Sequence, residues 1–229
     1  MSGRAKILGA SLGIVVTATS YAGFYAGVGM GPDTVDFNQR NFVTQIGNPG
    51  YPPSFAVINK AHLSGVGVFG TLFAGYSHLY TNKLSLAGEL NANVSSITNS
   101  GFNHEFVNVS FSDTFIKMHN SYGVSILPGY QFTPNTLFYG RLGWTNSKIQ
   151  QKTGDVSLAN FSKRINGFRS GLGIKQAITE RVALRMDYSY INYCDTTTVT
   201  NDVANRVPKS STLSPNQQLL EFGIVVNFA

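Results

Sequence analysis

The 229-residue chain has one cysteine, one tryptophan and little charge. A lone Cys194 excludes an intrachain disulfide and a cysteine-based zinc cluster. Asp, Glu, Lys and Arg make up 12% of the residues, about half the roughly 25% of a soluble domain. Long apolar runs are missing as well. Hydrophobic residues reach 42% and the mean hydropathy is −0.01, which excludes a bundle of transmembrane helices, each needing about 20 apolar residues. The Ala, Glu, Lys and Leu excess of a coiled coil is absent. Intrinsic disorder needs few aromatics and high charge, whereas aromatics here are 12%. The net charge of +6 would suit a nucleic-acid binder. No run of five Lys or Arg occurs, and no nucleic-acid motif, so nucleic acid is not an expected partner.

What is present begins with an export pattern. Arg4 and Lys6 precede the uncharged stretch Ile7 to Ala18, and the small residues Ser20 and Ala22 follow. These are the three regions of a secretory signal peptide. The apolar stretch is too short to span a bilayer. Residues 1–22 are therefore expected to be a signal peptide, cut after Ala22 or alternatively after Ser20. A cut after Ala22 removes Arg4 and Lys6 and lowers the net charge from +6 to +4. No lipobox cysteine follows the apolar stretch, so no lipoprotein anchor is expected.

From Gly23 onward the apolar residues recur with period two, the signature of strands with one apolar face. Leu84, Leu86, Leu90, Ala92 and Val94 alternate with Ser85, Ala87, Glu89, Asn91 and Asn93. Seven other segments divide the same way, centred on Phe24–Met30, Val66–Tyr76, Ile116–Tyr130, Phe138–Trp144, Phe168–Ile174, Leu184–Tyr190 and Leu220–Phe228. Phe69 and Phe73 blur the division in the second of them. The connections alternate in length. Short ones contain Thr81-Asn82-Lys83, Thr133-Pro134-Asn135 and Thr179-Glu180-Arg181; long polar ones run roughly 32–62, 96–114, 147–163 and 194–216.

Alternation alone does not separate a soluble barrel from a membrane barrel, which is its inside-out counterpart. Three features favour the membrane form. The apolar face carries too many bulky aromatics for a small interior. The opposite face is rich in Gly and Ser, which solvate poorly but fill a narrow lumen well. Aromatics also gather near strand ends: Tyr76, Tyr130, Phe138 and Phe228 by the short turns, and Tyr122, Trp144 and Tyr190 by the long loops. These positions suit the girdles at lipid interfaces. The expected fold is all-β: an eight-stranded antiparallel up-and-down transmembrane barrel over 23–229. By parity its inward charges are Glu89, Lys117, Arg141, Arg169, Lys175, Arg185, Asp187 and Glu221. In a narrow lumen they must be paired or hydrated, because burying an isolated ion is costly.

Several segments carry a family resemblance: Gly23-Phe24-Tyr25-Ala26-Gly27, Leu127-Pro128-Gly129-Tyr130-Gln131-Phe132-Thr133-Pro134-Asn135, Leu137–Trp144 and Ala177–Tyr188. With them, residues 23–229 resemble the small outer-membrane barrels typified by the OmpA transmembrane domain and the opacity proteins. The resemblance implies an outer-membrane protein with both termini periplasmic, short periplasmic turns and long extracellular loops. It also implies a lumenal charge cluster, with Glu89, Arg185 and Asp187 at matching positions. Lys175 stands where the family member has an acid, and Leu127 where it has a lysine. The chain closes on Phe228-Ala229, so the aromatic that this family presents for insertion is penultimate.

Motifs of other classes are weak. Gly65-Val66-Gly67-Val68-Phe69-Gly70 matches a dinucleotide fingerprint, but no helix is expected after it. His119 and Ser121 form an H-x-S pair that resembles the active strand of outer-membrane lipid A deacylases. Acyl transfer also needs an orienting group, and no Asp or Glu follows within 30 residues. Among the four histidines only His62 and His104 fall near long loops, a thin basis for a metal site. The expected function is that of a non-enzymatic outer-membrane barrel with an envelope-structural or surface-interaction role, at most a narrow pore. The alternatives are a small-molecule binding or transport barrel and a lipid-modifying enzyme. Expected partners are outer-membrane lipid and lipopolysaccharide, the barrel-insertion machinery and a surface ligand at the loops; no cofactor is expected.

Overall fold

The computed structural model describes residues 21–44, 56–102, 113–153, 160–202 and 207–228. Ten strand segments follow one another: β1 (Gly23–Thr44), β2 (Ala56–Leu79), β3 (Leu84–Ser95), β4 (Thr98–Phe102), β5 (Asp113–Thr133), β6 (Thr136–Thr153), β7 (Phe161–Ala177), β8 (Val182–Tyr193), β9 (Thr196–Asp202) and β10 (Val207–Phe228). Every pairing is antiparallel, and the order β1-β2-β3-β5-β6-β7-β8-β10 closes through β1–β10, where Phe24 stands opposite Phe228. The wall is thus a ring of eight staves. Closure leaves no unpaired edge in the lipid band, as hydrocarbon requires.

Two staves break once near the loop end. Pairing of β3 with β2 ends at Phe69↔Ser95; just beyond, the Ser96 amide donates to the Val68 carbonyl at 3.0 Å and the Val68 amide to Ser96 Oγ at 2.9 Å. Pairing of β8 with β7 ends at Gly167↔Tyr193, with the Cys194 amide donating to the Asn166 carbonyl at 2.8 Å. Past these points β4 pairs only with β5 and β9 only with β10. The ring therefore opens above the lipid band into two four-stranded sheets, β2-β1-β10-β9 and β4-β5-β6-β7.

The strands run well into the segments read as long connections. Outward side chains on β1 are Phe24, Val28 and Met30, then Pro32, Thr34 and Asp36. Past Met30 the ladder continues for 14 residues, to Thr44, about 45 Å along the strand at ~3.3 Å per residue. Both faces of a sheet above the membrane can be polar, so the alternation that marks a strand in lipid fades while the hydrogen bonds continue.

Outward positions of the band are exposed and apolar, among them Phe24, Leu72, Leu90, Ile126, Leu142, Leu172 and Phe222. Inward positions are buried, and β3 shows the strict alternation of the two faces. Phe69 and Phe73 both point inward and are buried. A Cβ on Gly27 would lie 2.4 Å from the Phe73 ring, so glycine on the neighbouring stave makes room for the phenyl group.

At the short-turn end, Tyr21 is buried with Leu137 and Ala177. Its hydroxyl accepts from the Ala177 amide at 3.0 Å and donates to the Asn135 carbonyl.

Candidate functional site: the lumenal charge network

The lumen is layered. Midway, Glu89 on β3 is opposite Gly75 of β2 and Ser125 of β5 in register. Arg141 reaches it from β6 with Nη2–Oε1 at 2.8 Å, and Arg185 from β8 with Nη1–Oε2 at 2.8 Å. Tyr25 donates its phenol to Oε2 at 2.9 Å. Asp187 is the second hub. Its Oδ2 accepts from Arg141 Nε at 3.0 Å and from the Tyr139 phenol at 2.8 Å, and its Oδ1 accepts from Ser189 Oγ at 2.6 Å. Arg185 Nη2 lies 3.2 Å from Glu221 Oε1, and Arg169 Nη2 lies 3.6 Å from Asp187 Oδ1. All six charged side chains are essentially without solvent contact. Burial of that kind is offset at Glu89 and Asp187, which each meet more than one cation or donor, while Glu221 meets Arg185.

Lys175 joins the layer differently. It is buried with no carboxylate at ion-pair distance among the described residues; its Nζ sits 4.1 Å from the centre of the Tyr25 ring and 5.5 Å from that of Tyr139. The π faces take the place of an anion. Both tyrosines bring their phenol ends close to a glycine. A Cβ on Gly173 would come within 2.2 Å of the Tyr139 ring, and one on Gly75 within 2.7 Å of Tyr25. Gly173→Ala is therefore expected to push Tyr139 off Asp187 and destabilise the barrel by about 2 kcal/mol or more. Gly88 is the control, since a Cβ there would meet nothing within 4 Å. Gly88→Ala should be near neutral in the same urea titration, followed by Trp144 fluorescence.

Lys117 is not brought into this network. A register shift between Met118 and Ser121 of β5 exchanges the two faces. Ile116 and Met118 are buried in the lumen, and Lys117 lies on the outer face, half-exposed. One extra residue in a strand reverses parity for everything beyond it. The same shift separates the H-x-S pair. His119 is exposed, with Nε2 3.1 Å from Gln150 Oε1, while Ser121 accepts from Asn93 Nδ2 at 3.0 Å on the lumen side. Among the described residues no group of three metal-ligating side chains occurs; His104 lies outside them.

Asp33 of β1 is an inward acid that parity counting left inside a presumed loop. It is buried, and its Oδ2 accepts from Ser95 Oγ at 2.7 Å and Gln217 Nε2 at 3.2 Å. Extending the Tyr25, Gly27, Gly29, Gly31 series by one more odd position finds it. Counted with Asp33, the buried inward acids (Asp33, Glu89, Asp187 and Glu221) match the bases (Arg141, Arg169, Lys175 and Arg185). Toward the loop end the lumen holds a buried apolar layer that includes Val35, Phe37, Phe69, Ile116, Ile149 and Ile191.

A closed antiparallel ring with an apolar exterior and a charged, filled interior defines a membrane barrel rather than a soluble one. The family model of the outer membrane protein beta-barrel domain matches residues 6–228, and the chain belongs to that family and to the outer membrane. Among solved structures it is similar in fold to the outer membrane protein OprG of Pseudomonas aeruginosa, at 14% identity and a TM-score of 0.59, covering 93% of this chain and 100% of that one. It is also similar to the outer membrane protease OmpT of Escherichia coli, at 11% identity and a TM-score of 0.50, covering 90% and 97%. The Neisserial surface protein A matches at 16% identity with a TM-score of 0.43, covering 90% and 98%. No curated protein matches the chain in sequence.

Proposed function

We propose that the protein is a non-enzymatic outer-membrane barrel whose lumen is closed, and that it acts through envelope structure and through the sheets it raises above the outer leaflet. The observation that carries this reading is the filled lumen. A layer of paired charges at mid-height lies beneath an apolar layer, and both are buried. The continuation of β1, β2, β5, β6, β7 and β10 beyond the lipid band supplies a surface for ligands outside the cell. The separation of His119 from Ser121 onto opposite faces speaks against acyl transfer by that pair. The partners of this role are outer-membrane lipid and lipopolysaccharide, the insertion machinery, and a surface ligand at the loop end. Liposomes loaded with the purified protein are expected to swell in isotonic sugar at the rate of protein-free liposomes. Rapid, size-selective swelling would contradict a closed lumen.

A second reading is a binding or transport barrel for a small hydrophobic molecule. One observation favours it: Ile97 and Phe69 of the apolar lumen layer lie beside the point where the β2–β3 ladder ends. Uptake of an apolar fluorophore by cells producing the protein, above that of cells lacking it, would support this reading over the first.

Export through the leading segment belongs to the same proposal. The seat of Tyr21 exists only if residue 21 stays on the mature chain. Intact-mass measurement of the processed barrel is therefore expected to place its N-terminus at Tyr21, after Ser20. A mature chain beginning at Gly23 would show that the seat plays no part in the finished barrel.

A further inference from the structure

Two cations face each other on the outside of the barrel. Lys148 of β6 and Arg164 of β7 are directly opposite in register, and both are exposed. Their outward direction follows from their neighbours, since Ser147, Ile149 and Ile165 are buried in the lumen. Like charges directly opposite on an antiparallel pair repel. Among the described residues neither cation has a carboxylate within ion-pair distance, and Lys117 adds a third on the next stave, β5.

The position of the pair is as telling as its charge. Trp144 is four residues below Lys148 on β6, and Phe168 four below Arg164 on β7; both are exposed and outward, as girdle residues are. Tyr122 packs edge-on to Trp144 at 6.0 Å between centroids. Arg164 is held at this boundary: its guanidinium lies 4.8 Å from the centre of the Tyr122 ring and donates to Asn146 Oδ1 at 3.0 Å, and Asn146 donates in turn to Asn166 at 2.8 Å. Two outward steps above the last apolar residue of the band, where Lys148 and Arg164 stand, other staves carry the uncharged Thr34, Thr98, Cys194 and Asn216. At that level, where the headgroups of the outer leaflet lie, the cations of the described residues stand on β5–β7, whereas the exposed Arg40 of β1 stands farther from the band.

We infer that β5, β6 and β7 form a lateral binding site for the phosphorylated disaccharide headgroup of lipid A. A phosphate between Lys148 and Arg164 removes their repulsion and takes charge-assisted hydrogen bonds from both. The amides of Asn146 and Asn166 suit sugar hydroxyls, and the aromatic faces of Tyr122, Trp144 and Phe168 suit the acyl chains below. A cluster of cations beside a membrane-spanning wall is a recognised form of anionic lipid site. The inference uses the outer-membrane location and the outer face of the wall, and is independent of whether the lumen conducts.

The test is thermal unfolding of the purified barrel in non-ionic detergent, read as the gel-mobility shift between folded and unfolded chain. Added ligands are bisphosphorylated lipid A, the same lipid stripped of both phosphates, and inorganic phosphate. Bisphosphorylated lipid A is expected to raise the midpoint by several degrees for wild type and for Arg181→Ala, a change at the opposite, short-turn end. The double variant Lys148→Gln/Arg164→Gln should fold but lose the shift, with at least tenfold weaker binding. Lys148→Glu separates a lipid site from a merely structural one. It creates an opposite-charge pair with Arg164, so its midpoint without lipid should rise while its response to lipid A disappears. A full shift with the dephosphorylated lipid or with inorganic phosphate, or an undiminished shift in the double variant, would overturn the inference.

Discussion

Glu89→Gln should lower the stability of the folded barrel by about 3–5 kcal/mol, the usual consequence of removing one partner from a buried ion network. Glu89 is the point where Arg141 and Arg185 meet, each at 2.8 Å, and where the Tyr25 phenol donates. The neutral amide leaves two buried guanidiniums without their shared anion. Asp187 and Glu221 remain, but Arg141 and Arg185 already use them. Urea unfolding in lipid vesicles measures the loss. The losses should also be non-additive: Glu89→Gln/Arg185→Met should be less damaging than the sum of the single changes, because the second change removes one of the stranded cations. A loss under about 1 kcal/mol for Glu89→Gln would mean that the network is hydrated and open.

Leu90→Arg is expected to cost about 2–4 kcal/mol, the range for a cation at the midplane of a barrel wall. Leu90 points outward from the middle of β3, between Leu84 at the turn end and Val94 at the loop end, and is 65% exposed. Exposure in a protein of this kind is exposure to hydrocarbon. Asn192→Arg, outward on β8 and just past the band, should be nearly neutral, because lipid-face penalties fall toward the interface. A soluble barrel would tolerate both changes equally. Equal tolerance would therefore contradict the assignment of the apolar face to lipid.

Much of this architecture was legible because a closed barrel in lipid imposes one rule on every strand. Side chains alternate between two environments of opposite polarity, so Leu90 outside and Glu89 inside follow from parity. Parity is a local count, and one irregularity defeats it. The shift between Met118 and Ser121 turned Lys117 outward and Ile116 inward, and no residue type at 118–121 announces it. Strand ends were legible only where polarity contrast marks them. Above the lipid both faces meet water, so β1 ran on through Asp33 into what reads as a polar loop. The partners of each charge were beyond reach for a different reason. Arg141 meets Glu89 and Asp187 across the lumen, from staves that share no ladder with its own. That contact depends on side-chain length and on room left by glycines such as Gly75 and Gly173, not on spacing along the chain.

The central claim is that the lumen is filled by its own charges and apolar side chains, and single-channel recording in planar bilayers tests it most directly. Purified wild-type protein should give no stable open step, only small and brief events at either polarity. A large, long-lived conductance comparable to that of a general porin would contradict the claim, because it would require a wide aqueous path through the buried Glu89–Arg141–Asp187 layer.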